Sequence, residues 1–175
     1  MARSVALRLL IHYIGDIHQP LHAITKVNGE FPTSDHIGTA FKLDGENTLH
    51  SLWDEAVDQY KGEKVALPLT DHGFNRLGTE AARLVANFKC ATNCNFHSLD
   101  ARAWGTESFH IGKNAYHGIV KGHKPTDEYL QIHQKKANEH IVTGGIRLAN
   151  TLIHIFTYVN NDLLEASTQE AIFLA

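Results

Sequence analysis

Basic charge is scarce in this sequence. The 16 Lys and Arg are outnumbered by 19 Asp and Glu, which leaves a formal net charge of −3 with histidine neutral. That balance argues against a Lys/Arg stripe of the kind that grips a phosphate backbone. A polyanionic substrate would therefore need its positive charge from bound metal. Long apolar runs are missing too, since none approaches the ~20 residues of a membrane-spanning helix. The stretch from Val5 to Ile14 is interrupted by His12, is followed by Asp16 and has no small-residue cleavage site, so it does not read as a signal peptide. With only Cys90 and Cys94 available, a four-cysteine zinc site is excluded by count, while a local disulfide and two free thiols both fit the spacing. Internal repeats, low-complexity tracts and Asn-x-Ser/Thr acceptors are absent. Histidine is the residue in excess, at 13 against a single methionine. Most of these are expected at scattered surface positions, and only those with helical or motif spacing count as evidence.

At 175 residues, 43% of them hydrophobic and 20% charged, the chain is long enough for one domain around a real core. Apolar Val5, Leu9, Leu10, Tyr13 and Ile14 share a face of a helix from Val5 to about Ile17. Pro20 disfavours helical backbone at Gln19 and should end or kink that helix. Gly29, Pro32 and Ser34 mark a loop, and Phe41-Lys42-Leu43 with Thr48-Leu49 around Asp44-Gly45 predict a minor β-hairpin. Further helices are predicted from about His50 to Tyr60, from about Phe74 to Phe88 with Asp71 as candidate cap, from near Ser98 towards Tyr116, and from Thr126 or Asp127 towards Tyr158. Gly144-Gly145 inside the last of these predicts a kink or a close helix–helix contact. The fold class is all-α with one minor hairpin.

Chemistry concentrates in two short segments. His12 and Asp16 are four apart, so on a helix they project from one face and an imidazole and a carboxylate can approach a common ion. His22 lies beyond Pro20, where the chain has turned, and can point towards a second ion nearby. His18, taken alone, reads as a hydrogen-bonded core histidine. An uncompensated Asp on an otherwise apolar face costs several kcal/mol when buried, so a partner for Asp16 is required. His50 and Asp54 repeat the four-residue spacing at the start of another helix. By itself such a pair is an ordinary surface contact of a few tenths of a kcal/mol; two pairs plus His22 favour metal. Zinc suits imidazole and carboxylate donors at low coordination, whereas magnesium and calcium prefer mostly oxygen.

The run His12-Tyr-Ile-Gly-Asp16-Ile-His18-Gln-Pro-Leu-His22 closely resembles the central metal motif of the S1/P1 nucleases, and Leu49-His50-Ser-Leu-Trp53-Asp54 resembles their second motif. Weaker matches follow in family order: Phe41-Lys42-Leu43, Trp104 with Glu107-Ser108, and Gly145-Ile-Arg147-Leu148-Ala149. The resemblance implies a phospholipase C/P1 nuclease-like helical fold with a cluster of three zinc ions at the bottom of a cleft. It implies that His12 binds one zinc of a close pair and that Asp16, as the catalytic carboxylate, bridges both members. His22, His50 and Asp54 would together hold the third zinc. The implied reaction is hydrolysis of phosphodiester bonds in single-stranded DNA and RNA to 5′-phosphates, with 3′-nucleotidase activity in many members, in a secreted or vacuolar/lysosomal setting. Zinc fits that chemistry because it activates water and stabilises charge on phosphoryl oxygens.

Two departures accompany the match. The family's close pair also uses the amino terminus of the mature chain, a nearby His, and a later Asp and His. None of these four has a counterpart here, so residues 1–175 read as an S1/P1 nuclease-like domain lacking the family's N-terminal segment. Where the family usually reads Gly-Asp-x-Gly-Gly-Asn, this chain has Ser34-Asp35-His36-Ile37-Gly38-Thr39. A zinc endonuclease is the leading expectation. A non-catalytic helical module stabilised by zinc at His22, His50 and Asp54 is the alternative, and a phospholipase C-like lipid phosphodiesterase is a third reading.

Overall fold

The structure, a computed structural model, describes residues 2–62, 65–88 and 95–173, with side chains described as far as residue 158. Cys90 and Cys94, and with them the question of their pairing, lie outside the described residues. Five α-helices follow in chain order: α1 Ala2–Ile17, α2 Leu49–Asp54, α3 Asp71–Asn87, α4 Ala101–Ala115 and α5 Asp127–Phe173. A 3-10 turn, Pro20–Ala23, stands between α1 and α2. No strand is formed among the described residues. The anticipated hairpin is reduced to one antiparallel bridge between Lys42 and Thr48, supported by the Leu43 N–H to Asn47 carbonyl and Leu49 N–H to Phe41 carbonyl bonds, both 2.9 Å. Asp44-Gly45 turns the chain there, with Gly45 at φ 67°, but the flanking segments leave the pairing at once to bury Phe41 and Leu43.

Helix α1 ends where Pro20 requires it to. Gln19 is extended, at φ −84° and ψ 114°, as a residue before proline must be. The second helix is far shorter than the His50–Tyr60 expected. It stops at Asp54, and Ala56, Val57 and Asp58 take left-handed backbone with φ of 50°, 59° and 71°. Such a run of L-residues is costly, on the order of 1–2 kcal/mol each. Tertiary contacts hold it: Val57 is fully buried, its carbonyl accepts the Gln134 side chain at 2.9 Å, and its N–H reaches the Leu52 carbonyl at 2.8 Å.

Helices α3 and α4 start within a turn of where they were expected. Thr70 rather than Asp71 caps α3, its hydroxyl accepting from the Gly73 N–H, and Asp71 occupies the first turn. Asp100 caps α4, just beyond the expected start near Ser98, accepting from the Arg102 and Ala103 N–H groups. The last helix begins at Asp127 and continues past Tyr158 to Phe173.

The core gathers Leu21, Phe31, Phe41, Leu49, Leu52, Trp53 and Tyr129 between the 3-10 turn, α2, α4 and α5. Two glycines set its tightest contacts. A Cβ on Gly112 of α4 would meet the Pro20 carbonyl oxygen at 2.6 Å, and one on Gly144 of α5 would meet the His18 ring at 3.1 Å. The close approach anticipated at Gly144-Gly145 is therefore a contact between α5 and the end of α1, and it leaves the helix unbroken. No helix among the described residues is long and apolar enough to cross a membrane.

Candidate metal centre

The segment from His12 to His22 divides its side chains between two environments. Ile14, His18 and Leu21 point into the protein, with His18 5% and Leu21 0% exposed. His12, Asp16 and His22 face the other way. His12 Nε2 lies 3.3 Å from Asp16 Oδ2, and His22 Nδ1 lies 3.7 Å from the same oxygen. One carboxylate thus stands between two imidazoles, one from each side of the proline break. Side-chain exposure falls along this row, from 63% at His12 to 40% at Asp16 and 28% at His22.

The second pair arrives on α2. That helix is only six residues long, yet its start is well defined by a reciprocal cap: Thr48 Oγ1 accepts the Ser51 N–H, and Ser51 Oγ accepts the Thr48 N–H. This is a Thr-x-x-Ser version of the capping box, and it satisfies backbone donors that would otherwise be orphaned. His50 Nε2 and Asp54 Oδ2 are 3.4 Å apart across one turn. The rings of His22 and His50 stack with centroids 5.1 Å apart and planes 14° from parallel. Ligand-type atoms of His22, His50 and Asp54 all lie within 4.8 Å of one another. Donors bound to one zinc at about 2.1 Å can be at most about 4.2 Å apart, so a small side-chain rotation brings this trio onto an ion. Two imidazoles and one carboxylate fit zinc and leave a coordination position open.

The groups behind these side chains are also specified. His50 Nδ1 donates to the Ile37 carbonyl at 2.8 Å, which leaves Nε2 as the lone-pair nitrogen facing Asp54. The Ile37 carbonyl is presented by a left-handed run, with φ of 52° at His36 and 55° at Ile37. This loop is the one in which the chain departs from the Gly-Gly of the family it resembles, so a β-branched residue occupies a conformation that glycine would adopt freely. Asp54 accepts through Oδ1 from the Gln19 amide at 2.9 Å.

A buried polar layer grips the same segment from its inner side. His18 Nδ1 donates to the Ile14 carbonyl at 2.7 Å, and its Nε2 accepts from Arg147 Nη1 at 3.0 Å. Arg147, only 2% exposed, makes a two-pronged contact with Glu107 at 2.7 and 3.0 Å and lies over the Trp104 ring. The Ser108 hydroxyl donates to the Ile17 carbonyl, and His140 Nδ1 donates to the His18 carbonyl at 3.1 Å. Burial lowers the His18 imidazole from its ordinary value and takes His140 down to about 4, so both rings are neutral near pH 7 with a donor on Nδ1. The carbonyls at the end of α1, exposed by helix geometry to a loss of partners, are thereby satisfied by α4 and α5.

Sequence reasoning read Gln19 only as the residue before a proline, and Arg147 only as part of a weak match. The available signals were a polar side chain between two ligand positions and a lone arginine on the apolar stripe of a long helix. Trp104, Glu107, Ser108 and Arg147, each a weak match alone, meet around His18. Histidines 36, 72, 97, 110, 117, 123 and 154 are surface positions, and His133 joins His18 and His140 in the interior.

An apolar groove of about 270 Å³ adjoins the site, lined by Gly15, Gln19, Trp53, Asp54, Ile141 and Leu148 among others. Comparison with known proteins places these features in context. A family model described as S1/P1 Nuclease matches residues 1–157. Endonuclease 5 of Arabidopsis thaliana is 29% identical over 155 residues, a match covering 87% of this chain and 51% of that protein. Endonuclease 3 of the same plant is 30% identical over 161 residues, with 87% and 51% covered. Endonuclease 1 is 26% identical over 168 residues, with 87% and 50% covered. The chain spans about half the length of the curated relatives it matches.

Proposed function

The chain belongs to the S1/P1 nuclease family, and from that membership we propose that it carries the metal site of a zinc-dependent endonuclease hydrolysing single-stranded DNA and RNA to 5′-phosphate products. Removal of a 3′-phosphate from nucleotides and a secreted or vacuolar/lysosomal setting belong to the same reading. The observation that carries it is the approach of His22, His50 and Asp54 to within 4.8 Å of one another, beside a second carboxylate, Asp16, flanked by His12 and His22. In this reading His22, His50 and Asp54 hold one zinc ion, and His12 and Asp16 contribute to a neighbouring close pair. When bound, zinc supplies Lewis acidity, polarising a phosphoryl oxygen and making water a competent nucleophile near neutral pH.

The protein's own groups prepare that chemistry. The Ile37 carbonyl accepts the Nδ1 proton of His50 in a hydrogen bond, so in the neutral ring Nε2 is the nitrogen with a lone pair for metal. Asp16 keeps its carboxylate facing both imidazoles, 3.3 Å from His12 and 3.7 Å from His22. Cationic metal in place of a Lys/Arg stripe is consistent with a net charge of −3.

The test combines metal analysis with cleavage. Zinc-loaded protein is expected to cut a single-stranded DNA oligonucleotide into 5′-phosphorylated products, more than one zinc should bind per chain, and His50→Ala should lose both properties. About one zinc per chain with no cleavage would instead support a structural site.

A further inference from the structure

We propose that Gln19 is a positioning residue of the metal site, holding the Asp54 carboxylate in register with His22 and His50. The inference rests on the zinc reading above and deepens it. Gln19 sits at the junction between α1 and the 3-10 turn, in the extended backbone that Pro20 imposes. Its side chain makes two bonds, and the first decides the orientation of the second. The Leu21 N–H can only donate, so the atom facing it is the amide oxygen, Oε1. The amide nitrogen is then the atom 2.9 Å from Asp54 Oδ1, and it donates. No flip of the amide satisfies both partners, so the assignment follows from the network rather than from atom labels.

Asp54 needs such a partner. It is the last residue of a six-residue helix, its side chain is 48% exposed, and the backbone beyond it turns left-handed. Without a restraint the carboxylate would sample several rotamers, and that freedom would be lost on each metal-binding event. Gln19 takes Oδ1 and leaves Oδ2 on the His50 side, 3.4 Å from Nε2. It also joins the two ligand-bearing elements, because the same side chain caps the turn that carries His22. His50 is fixed through its far nitrogen by the Ile37 carbonyl, and Asp54 through its far oxygen by Gln19. Outer partners of this kind typically contribute roughly 10- to 100-fold in metal affinity.

The competing role is purely structural, a cap on the 3-10 turn. Two substitutions separate them. Gln19→Met removes both bonds at similar volume, whereas Gln19→Glu keeps an acceptor for Leu21 and removes the donor to Asp54. The experiment is a cobalt(II) titration of the full chain, followed by the visible spectrum of the bound ion, alongside thermal melting in chelator. Wild type is expected to bind cobalt saturably. Gln19→Met should bind it roughly 10- to 100-fold more weakly, and the bound-cobalt spectrum of Gln19→Glu should differ from wild type, while its metal-free melting falls less than that of Gln19→Met because the cap on Leu21 is kept. If both variants match the wild-type affinity and spectrum, Gln19 is only a cap and the inference is overturned. If wild type binds no cobalt at all, the metal reading itself fails, which is a different result.

Discussion

His18 and His22 lie four residues apart in one segment and have opposite fates. His18 is buried, neutral and bonded on both ring nitrogens, to the Ile14 carbonyl of its own helix and to Arg147 of α5. His22 is part-exposed, stacked on His50 and turned towards two carboxylates. The candidate ligand pairs are assembled from short-range spacing: His12 with Asp16 on α1 and His50 with Asp54 on α2 need only one helical turn each. The inner face is assembled from residues far apart, with Ser108, His140 and Arg147 meeting the end of α1 across 91 to 129 positions. A histidine's chemistry is thus set by which face of the chain the core claims, because burial removes the water a protonated ring requires and supplies fixed partners in its place.

The sharpest way to break this contrast is at the Arg147–Glu107 pair. Glu107→Ala would leave a guanidinium, 2% exposed, without its countercharge, and the expected loss is about 3–5 kcal/mol of stability. Arg147→Met should cost less, about 1–3 kcal/mol, because the freed Glu107 side chain is already 46% exposed and returns to water. Denaturant midpoints of the two variants, compared at pH 7 in chelator, test the order. An Arg147→Met loss exceeding that of Glu107→Ala would contradict it.

The second expectation concerns acid. In the folded chain His140 stays neutral down to about 4, whereas an unperturbed imidazole takes up its proton near 6.5. The unfolded chain therefore binds more protons in that interval, and the contribution is complete above pH 6.5 and lost as pH falls towards 4. The size is about 3 kcal/mol, shared in direction by His18. His140→Asn supplies an uncharged amide for the same bond to the His18 carbonyl, so its metal-free stability should fall less between pH 7 and pH 4. Parallel curves for the two proteins would remove His140 from the acid response.

The smallest expected effect is on the outer face. Ile37→Gly relieves a β-branched residue at φ 55°, about 1–2 kcal/mol of backbone strain, against about 0.5–1 kcal/mol of added chain entropy. A net gain of up to about 1.5 kcal/mol, read as a raised melting temperature, is expected with the bond from His50 retained. A loss of stability would mean that the isoleucine side chain has packing value of its own.

Much of this protein was legible in one dimension. Helical periodicity, Pro20 and the His-x-x-x-Asp spacing fixed the presence of α1, its end and the pairing of ligand-type side chains, because each depends on neighbours within one turn. The same local logic failed at α2, where the burial of Val57 and the Gln134 contact ended the helix at Asp54, and at the hairpin, where burial of Phe41 and Leu43 left a single bridge. What only the assembled fold decided was convergence. The joining of His22 with His50 and Asp54, the amide of Gln19 on Asp54, and the arginine behind His18 all link segments tens of residues apart. Their meeting is set by core packing, whose energy depends on shape and buried area rather than on spacing along the chain.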